Sequence, residues 1–231
     1  MHIHFISIFP DIFKSFLETS LIKKAIDKKL IKIEMLDPRS FVPGKWQYVD
    51  DEIYGGGAGM LIKAKPVIDA VESLIKKIKK SKKNIFKIMY LSPSKTVFTQ
   101  KIAHEIVEKN QHIIFVCGRY EGIDYRFVEY MQDKYAKEFE IISLGKFVTL
   151  WGEVPAMTMT EAIVRLVPWV IKDEKSRQEE SYSLQYQMKN IEYPQYTRPE
   201  EIYGYKVPEI LFTGHHKNIE ARRKKKMKKV R

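Results

Sequence analysis

The chain has 231 residues, a single cysteine and a formal net charge of +12. One cysteine excludes an intrachain disulfide and favours a reducing compartment, so we expect a cytoplasmic protein. No segment approaches the roughly 20 apolar residues of a membrane-spanning helix, and the N-terminus lacks a signal-peptide pattern, so no membrane association is expected. The excess of Lys and Arg indicates a polyanionic partner, the alternative being a general enrichment in surface lysine.

The first elements follow from the apolar periodicity. Residues 3–9 are rich in β-forming side chains and predict a strand, after which Asp11 is predicted to cap a helix. Residues 31–35 alternate between apolar and polar side chains and predict a second strand. A long glycine-rich loop is expected over 37–59, followed by a helix that opens at Pro66.

Strands and helices then alternate. The predicted strands are 85–91, 112–117 and 139–144, and the predicted helices are 97–107, 123–131 and 157–167. This alternation is typical of βα units around a mostly parallel sheet, so an α/β domain is predicted over 1–170.

The composition changes after this domain. Residues 172–190 are polar and nearly free of aliphatic side chains, which predicts a linker at 171–190. The last seventeen residues carry nine Lys or Arg against one Glu, so 191–231 is predicted to form a small basic helical domain that binds nucleic acid.

Three loops carry the candidate chemistry. The sequence CGRYEGID at 117–124 follows an apolar strand, and loops at 90–94 and 144–157 also follow strand ends. Because ligands of parallel α/β sheets bind beyond the carboxyl ends of the strands, these loops are expected to surround one small ligand. Taken singly, each loop could equally be a structural turn.

Common metal and nucleotide motifs are missing from the sequence. It contains no HExxH, CxxC, GxSxG or P-loop pattern, and its histidines show no metal-ligand spacing apart from the adjacent pair His215–His216. No metal site is therefore expected.

Four motifs together resemble a known family. They are VDD at 49–51 with YGGGAGML at 54–61, CGRYEGID at 117–124, GEVPAMT at 152–158 and YTRPE at 196–200. In this order, and over essentially the whole chain, they resemble the bacterial tRNA (guanine-N1-)-methyltransferases of the TrmD family. The resemblance implies a deep trefoil knot in the α/β domain, a homodimer with a shared active site, and a tRNA substrate. It also implies S-adenosylmethionine as the methyl donor. Mg²⁺ is a further cofactor that the resemblance implies, because the family is associated with Mg²⁺ dependence.

The resemblance further implies the target atom and the site residues. The target is N1 of the guanosine on the 3′ side of the anticodon, position 37, which becomes m1G. Arg165 and Glu180 fall where the family has its catalytic Arg and Asp, with Glu179 or Asp173 as alternative bases. The implied cofactor-binding residues are Tyr90, Leu91, Ser92, Gly118, Tyr120, Glu121, Leu144, Gly145, Lys146, Phe147, Val148, Thr149, Gly152 and Pro155.

Three positions depart from the family pattern. Glu180 stands in place of Asp, Lys146 in place of an acidic residue, and Trp151 in place of the first glycine of a GGE run. Trp151 is expected to crowd a loop that contacts the cofactor. Two alternative functions remain at this point: a related knotted methyltransferase with another RNA target, such as a ribose 2′-hydroxyl, and a non-catalytic RNA-binding protein.

Overall fold

The structure is a computed structural model that describes residues 1–44, 47–82, 84–172, 180–184 and 187–229. The chain divides into two compact units, Met1–Ile171 and Lys172–Arg231. Each unit is described separately below. None of the helices in the described ranges combines the length and apolar character needed to cross a bilayer.

The first unit is built on a five-stranded sheet in which every neighbouring pair is parallel. Its strand order is β2-β1-β6-β5-β7. The strands are β1 (His2–Ile6), β2 (Lys32–Leu36), β5 (Phe86–Leu91), β6 (His112–Cys117) and β7 (Phe139–Ile142). Two further strands, β3 (Asp50–Glu52) and β4 (Met60–Ile62), form a separate antiparallel hairpin. The predicted α/β fold with a parallel sheet is confirmed.

Helices cover both faces of this sheet. They are α1 (Lys14–Leu17), α2 (Ser20–Asp27), α3 (Ala64–Lys79), α4 (Gln100–Lys109), α5 (Arg126–Tyr135) and α6 (Glu153–Val164). Alternate residues of β6 enter different hydrophobic clusters: Ile114 packs on the side of α3 and α5, and Phe115 on the side of α4 and α6. A central strand that is buried on both faces reads as a continuous apolar run, which is why residues 112–117 were recognisable as a strand.

The prediction that Asp11 caps the first helix is wrong. Asp11 lies inside a 3-10 helix, Pro10–Phe13, whose N-cap residue is Phe9. Pro10 occupies its first position, where the fixed φ of proline suits a helix start and the missing N–H costs no hydrogen bond. The following helical segment is divided into α1 and α2.

The expected loop over 37–59 contains regular structure. A 3-10 helix spans Pro38–Phe41, and the carboxylate of Asp37 caps it by accepting the backbone N–H of Arg39. Strand β3 also falls within this range. Helix α3 begins at Ala64, so Pro66 lies in its first turn rather than at its start, a place where proline disrupts no helical hydrogen bond.

Three helix starts also differ from the prediction. Helix α4 begins at Gln100, where Thr99 Oγ1 accepts the backbone N–H of Ile102, and α5 begins at Arg126. Helix α6 begins at Glu153, four residues before the predicted start at 157. Most of the segment GEVPAMT is therefore helical and not part of a loop.

The second unit contains short elements. They are the strand pairs β8 (Asn190–Ile191) with β11 (Lys228–Lys229) and β9 (Glu201–Ile202) with β10 (Tyr205–Lys206), a 3-10 helix (Glu209–Leu211) and α7 (His216–Lys226). The guanidinium of Arg223 on α7 lies 4.9 Å from the ring centre of Tyr193. Because most of α7 is exposed and basic, this helix presents a positive surface.

Candidate functional site

A pocket lies at the carboxyl ends of β5, β6 and β7. Three loops form it: one after β5, one after β6 and one between β7 and α6. Its cavity volume of roughly 220 Å³ lies somewhat below the range of 300–1,000 Å³ that is usual for small-molecule sites. It is lined by Tyr90, Leu91, Ser92, Pro93, Gly118, Arg119, Tyr120, Glu121, Gly122, Ile142, Ser143, Leu144, Phe147, Val148, Thr149, Leu150, Trp151, Gly152 and Pro155.

Two of the three loops are in direct backbone contact. The backbone N–H of Gly152 donates to the carbonyl of Gly118 at 3.0 Å. A methyl group on Gly152 would lie 2.7 Å from the nitrogen of Gly118 and 2.9 Å from the Cα of Cys117. Both are backbone atoms that cannot move aside. Position 152 therefore requires glycine, and the start of α6 is held against the end of β6.

The side chain of Tyr90 holds the loop after β6 in place. Its hydroxyl accepts the backbone N–H of Ile123 at 3.2 Å, and its ring lies 3.5 Å from the position of a Cβ on Gly118. Burial raises the pKa of Tyr90, so the hydroxyl remains neutral at physiological pH. The two glycines at 118 and 122 thus leave room for the side chain of Tyr90 against the backbone of this loop.

A buried ion pair lies beside this loop. Glu153, the first residue of α6, is fully buried and accepts the Arg119 Nε–H at 3.0 Å and the Ser7 hydroxyl at 2.6 Å. Ser7 Oγ accepts in turn the backbone N–H of Phe9 at 3.0 Å. A buried carboxylate is stable only when it is paired and hydrogen-bonded, and Glu153 meets both conditions.

The guanidinium of Arg119 is also held by two aromatic rings. Its Cζ lies 4.4 Å from the ring centre of Phe9 and 4.3 Å from that of Trp151, both within range for a cation–π interaction. Trp151, expected to crowd the cofactor loop, lines the pocket with its ring packed on Arg119 and 40% of its surface exposed. It thus forms part of the pocket rim.

The one cysteine of the chain is next to this ion pair. Burial is the main cause that raises the pKa of the Cys117 thiol, and the charge of Glu153 raises it further. A buried thiol with a raised pKa does not form the reactive thiolate at neutral pH. Cys117 therefore packs at the end of β6 and is not a candidate nucleophile.

The fold brings together most of the residues assigned to the cofactor. All of them line the pocket except Gly145 and Lys146. Gly145 forms a tight turn in which Ser143 Oγ donates to its carbonyl at 2.7 Å and accepts its N–H at 3.2 Å. The lining residues that the cofactor assignment left out are Pro93, Arg119, Gly122, Ile142, Ser143, Leu150 and Trp151. Arg119, Leu150 and Trp151 nevertheless belong to the loops at 117–124 and 144–157 that were expected to surround a ligand.

The glycine-rich hairpin adjoins the loop after β6. The N–H of Glu121 donates to the carbonyl of Met60 at 3.1 Å, and the N–H of Ile62 donates to the carbonyl of Gly122 at 2.9 Å. Gly59 has a φ of +91°, and a Cβ there would lie 2.7 Å from Cγ of Glu121. Two motifs that are 55 residues apart in the sequence therefore form one surface.

The two residues assigned to catalysis lie in different units. Arg165 is half-buried at the end of α6, where its N–H donates to the carbonyl of Glu161 at 3.2 Å. Glu180 is half-buried in the second unit, and its carbonyl accepts the N–H of Ser183 at 3.2 Å. The alternative bases Glu179 and Asp173 lie outside the described residues.

The spacing of the histidines in the sequence singled out only His215–His216, but the fold brings three other histidines together. Among the described residues, His2, His4 and His112 meet on one face of the sheet, with their ring nitrogens within 4.8 Å of one another. Burial is the largest cause that lowers the pKa of His4 to about 4, and the charge of Glu34 opposes this shift. This cluster lies at the amino ends of β1 and β6, away from the pocket.

Comparison with known proteins supplies the family. A family model described as tRNA (Guanine-1)-methyltransferase TrmD matches residues 1–231. The tRNA (guanine-N(1)-)-methyltransferase of Dictyoglomus turgidum is 43% identical over 231 residues, which cover 100% of this chain and 86% of that protein. The protein of the same description from Wolbachia pipientis wMel is 44% identical over 220 residues, covering 95% of this chain and 87% of that protein.

A third relative, from Bacillus pumilus, carries the same description and is 40% identical over 231 residues, covering 100% of this chain and 88% of that protein. These matches cover 95–100% of this chain, so no large segment of it is left unmatched. The chain belongs to the TrmD family of tRNA (guanine-N1)-methyltransferases.

Proposed function

We propose that the protein transfers a methyl group from S-adenosylmethionine to N1 of a guanine in tRNA. The proposed target is the guanosine 3′ of the anticodon, position 37, and the product is m1G. The full-length membership of the TrmD family is the observation that carries this proposal. The pocket at the carboxyl ends of three parallel strands supports it, because that edge is where such sheets bind ligands.

The lining of the pocket supports S-adenosylmethionine as its ligand. Gly118 and Gly152 line the pocket without side chains, so a ligand can approach the main chain of the loops there. Leu91 and Leu144 supply apolar surface for the flat base. When bound there, S-adenosylmethionine supplies an activated methyl group on a positively charged sulfur.

The reaction needs a base because N1 of guanine carries a proton. The base takes that proton, the N1 lone pair forms the bond to the methyl carbon, and the carbon–sulfur bond breaks with its electrons moving to sulfur. The products are N1-methylguanine and S-adenosylhomocysteine. While N1 is deprotonated, negative charge spreads to O6 of the guanine, where a cation lowers the barrier.

Glu180 is our proposed general base and Arg165 the proposed cation for O6. Both assignments rest on the family pattern, in which an Asp and an Arg stand at these positions. A Glu retains the carboxylate with one more methylene, so its backbone must lie slightly farther from N1 than that of an Asp. The polar segment around Glu180 suits a loop that orders over the substrate when tRNA binds.

A Mg²⁺ requirement is implied by the resemblance alone. Mg²⁺ usually keeps several water ligands and is bound through one or two carboxylates together with oxygens of the substrate. Methyl transfer from a sulfonium does not itself require a Lewis acid. The proposed chemistry is therefore carried by the orientation of the two substrates and by proton transfer.

We further propose the quaternary and topological features that the family implies. These are a trefoil knot in the first unit and a homodimer whose subunits share the active site. The backbone contact between Gly118 and Gly152 supports the knot, since it joins the two segments that build this region in the family. Analytical ultracentrifugation at assay concentration should give a dimer, and an active monomer would contradict the proposal.

The second unit is our proposed tRNA-binding part, with residues 191–231 as the basic domain and 171–190 as the linker. The positive surface of α7 supports this role, because cationic side chains bind phosphates and release counterions. A tRNA substrate also fits the expectation of a cytoplasmic enzyme.

Mapping the modified nucleotide tests the proposed function. Unmodified tRNA is incubated with the protein and methyl-labelled S-adenosylmethionine, digested, and analysed by mass spectrometry. Label on N1 of guanine 37 is the expected result. Label on a ribose 2′-hydroxyl would establish the alternative RNA target, and no label with bulk tRNA would leave a non-catalytic RNA-binding protein.

A further inference from the structure

The parallel register of the sheet brings three histidines together. His2 and His4 are two residues apart on β1, so their side chains point to the same face, and His2 is directly opposite His112 on β6. Nε2 of His4 lies 3.0 Å from Nδ1 of His112. The rings of His2 and His112 have centroids 4.7 Å apart. One ring nitrogen of each histidine therefore lies within 4.8 Å of those of the other two.

A carboxylate orients the most buried of these rings. Nδ1 of His4 lies 3.3 Å from Oε2 of Glu34 on β2, whose other oxygen accepts Lys77 Nζ at 2.9 Å. A carboxylate at this place favours the proton on Nδ1 and leaves the lone pair of His4 on Nε2, facing His112. Metal-binding histidines usually donate their second ring N–H to an outer partner of this kind, which is a carboxylate, a backbone carbonyl or water.

We propose that His2, His4 and His112 bind a divalent transition-metal ion of the zinc type, with water as the fourth ligand. Zinc–nitrogen bonds of about 2.0–2.1 Å in a tetrahedron place neighbouring nitrogens about 3.3 Å apart. The pair His4–His112 needs to open by only about 0.3 Å from its hydrogen-bonded distance. His2 is half-buried at the edge of the cluster and can turn inward to complete the site.

The ligand chemistry selects the class of ion. Imidazole nitrogen suits zinc, copper, nickel and iron, whereas Mg²⁺ and Ca²⁺ prefer oxygen ligands. The site is therefore distinct from the Mg²⁺ that the family resemblance implies. His4 and His112 are both nearly fully buried, so they are already ordered before an ion binds.

The position of the cluster indicates a structural role. His112 and Cys117 are the first and last residues of β6, so the cluster and the pocket are separated by about 16 Å along the strand. An ion here would connect β1 with β6, two neighbouring strands whose sequences are more than 100 residues apart. We therefore expect bound metal to raise the stability of the protein and to leave methyl transfer unchanged.

The experiment uses the full-length protein after treatment with a chelator. Co²⁺ is added and followed by the visible absorption of tetrahedral cobalt, and Zn²⁺ is then added as a competitor. One ion per chain and a higher Tm with Zn²⁺ are expected. Glu34→Gln should bind the ion 10–100-fold more weakly, because it removes the outer carboxylate.

Matched variants assign the site. His2→Gln alters a half-buried edge residue, so it tests the site even if His4→Gln fails to fold, and it should weaken Co²⁺ binding at least tenfold. The double variant His215→Gln/His216→Gln removes the other histidine pair and should bind Co²⁺ as the parent does. The proposal is overturned if the parent shows no tetrahedral cobalt spectrum, if His2→Gln binds with parental affinity, or if the double variant loses binding.

Discussion

The Nε–H of Arg119 donates to the carboxylate of Glu153 at 3.0 Å, and this acid is fully buried at the first residue of α6. Arg119 itself is held between the rings of Phe9 and Trp151. The pair therefore connects the loop after β6, the start of α6 and the segment after β1. Two of these segments, the loop after β6 and the start of α6, line the pocket, so the stability of the pair bears on the shape of the site.

Loss of the Glu153 carboxylate should destabilise the protein strongly. Glu153→Ala leaves the nearly buried guanidinium of Arg119 without its partner, and breaking a buried pair costs about 3–5 kcal/mol. Glu153→Gln should cost less, because its amide oxygen still accepts a hydrogen bond. The free energy of unfolding in urea measures both. Glu161→Ala, on the exposed side of the same helix, is the control and should stay within about 0.5 kcal/mol of the parent.

Trp151→Gly should weaken the binding of S-adenosylmethionine severalfold. The substitution restores the glycine of the family pattern but removes one of the two rings that hold Arg119, a contact worth about 0.5–2 kcal/mol. Trp151→Phe keeps an aromatic ring and should bind close to the parent. Isothermal titration calorimetry provides the dissociation constants. Tighter binding by Trp151→Gly would show instead that the indole crowds the cofactor.

Gly152→Ala should lower the free energy of unfolding by about 1–3 kcal/mol. The added methyl group would lie 2.7 Å from backbone nitrogen, and forcing extra volume into a packed site has a cost of this order. The matched control is Gly118→Ala, whose methyl group would meet its nearest neighbour at an ordinary 3.5 Å. Chemical denaturation measures the free energy of unfolding of both variants. Equal losses of this free energy would contradict the close approach of the two loops.

Glu180→Gln should slow methyl transfer by about 10²–10⁴, because it keeps the size of the side chain but removes the base. Glu180→Asp, which restores the family residue, should retain much more activity. Single-turnover reactions with saturating tRNA measure the rate of methyl transfer. The affinity for S-adenosylmethionine should barely change. Glu209→Gln, an exposed acid in the same unit, serves as the control. A parental rate for Glu180→Gln would remove this residue from the mechanism.

Neutralising the exposed basic face of α7 should weaken tRNA binding and its dependence on salt. In Lys225→Gln/Lys226→Gln two cations are lost, and the slope of log K against log salt should become shallower by up to about two. Lys76→Gln/Lys80→Gln makes the same charge change on the first unit. Equal effects from the two double variants would indicate attraction by net charge and no specific role of α7.

The parts of the fold that the sequence predicted are those where one local pattern dominates. The apolar run 112–117 matches β6 because a strand buried on both faces contains almost nothing else. The start of α6 was misplaced because glycine and proline at 152 and 155 are typical of a loop. In the structure Gly152 is required by a backbone contact from another segment, and Pro155 lies in the first helical turn.

The site was predictable to a similar extent. Loops after strand ends could be assigned to a pocket because parallel strands end at one edge of the sheet. The histidine cluster could not be found this way, since His4 and His112 are 108 residues apart and meet only through the register of β1 with β6. The aromatic contacts of Arg119 likewise depend on the packing of three separate segments.

The sheet order has a consequence for how the protein is made. Strand β1 is synthesised before the other strands of its sheet, yet one of its two neighbours is β6, which is complete only at residue 117. Until then one edge of β1, including the apolar residues Ile3 and Phe5, has no partner strand in the nascent chain. Exposed strand edges are prone to aggregation, so the interval before β6 emerges is the one in which a chaperone would benefit this protein most.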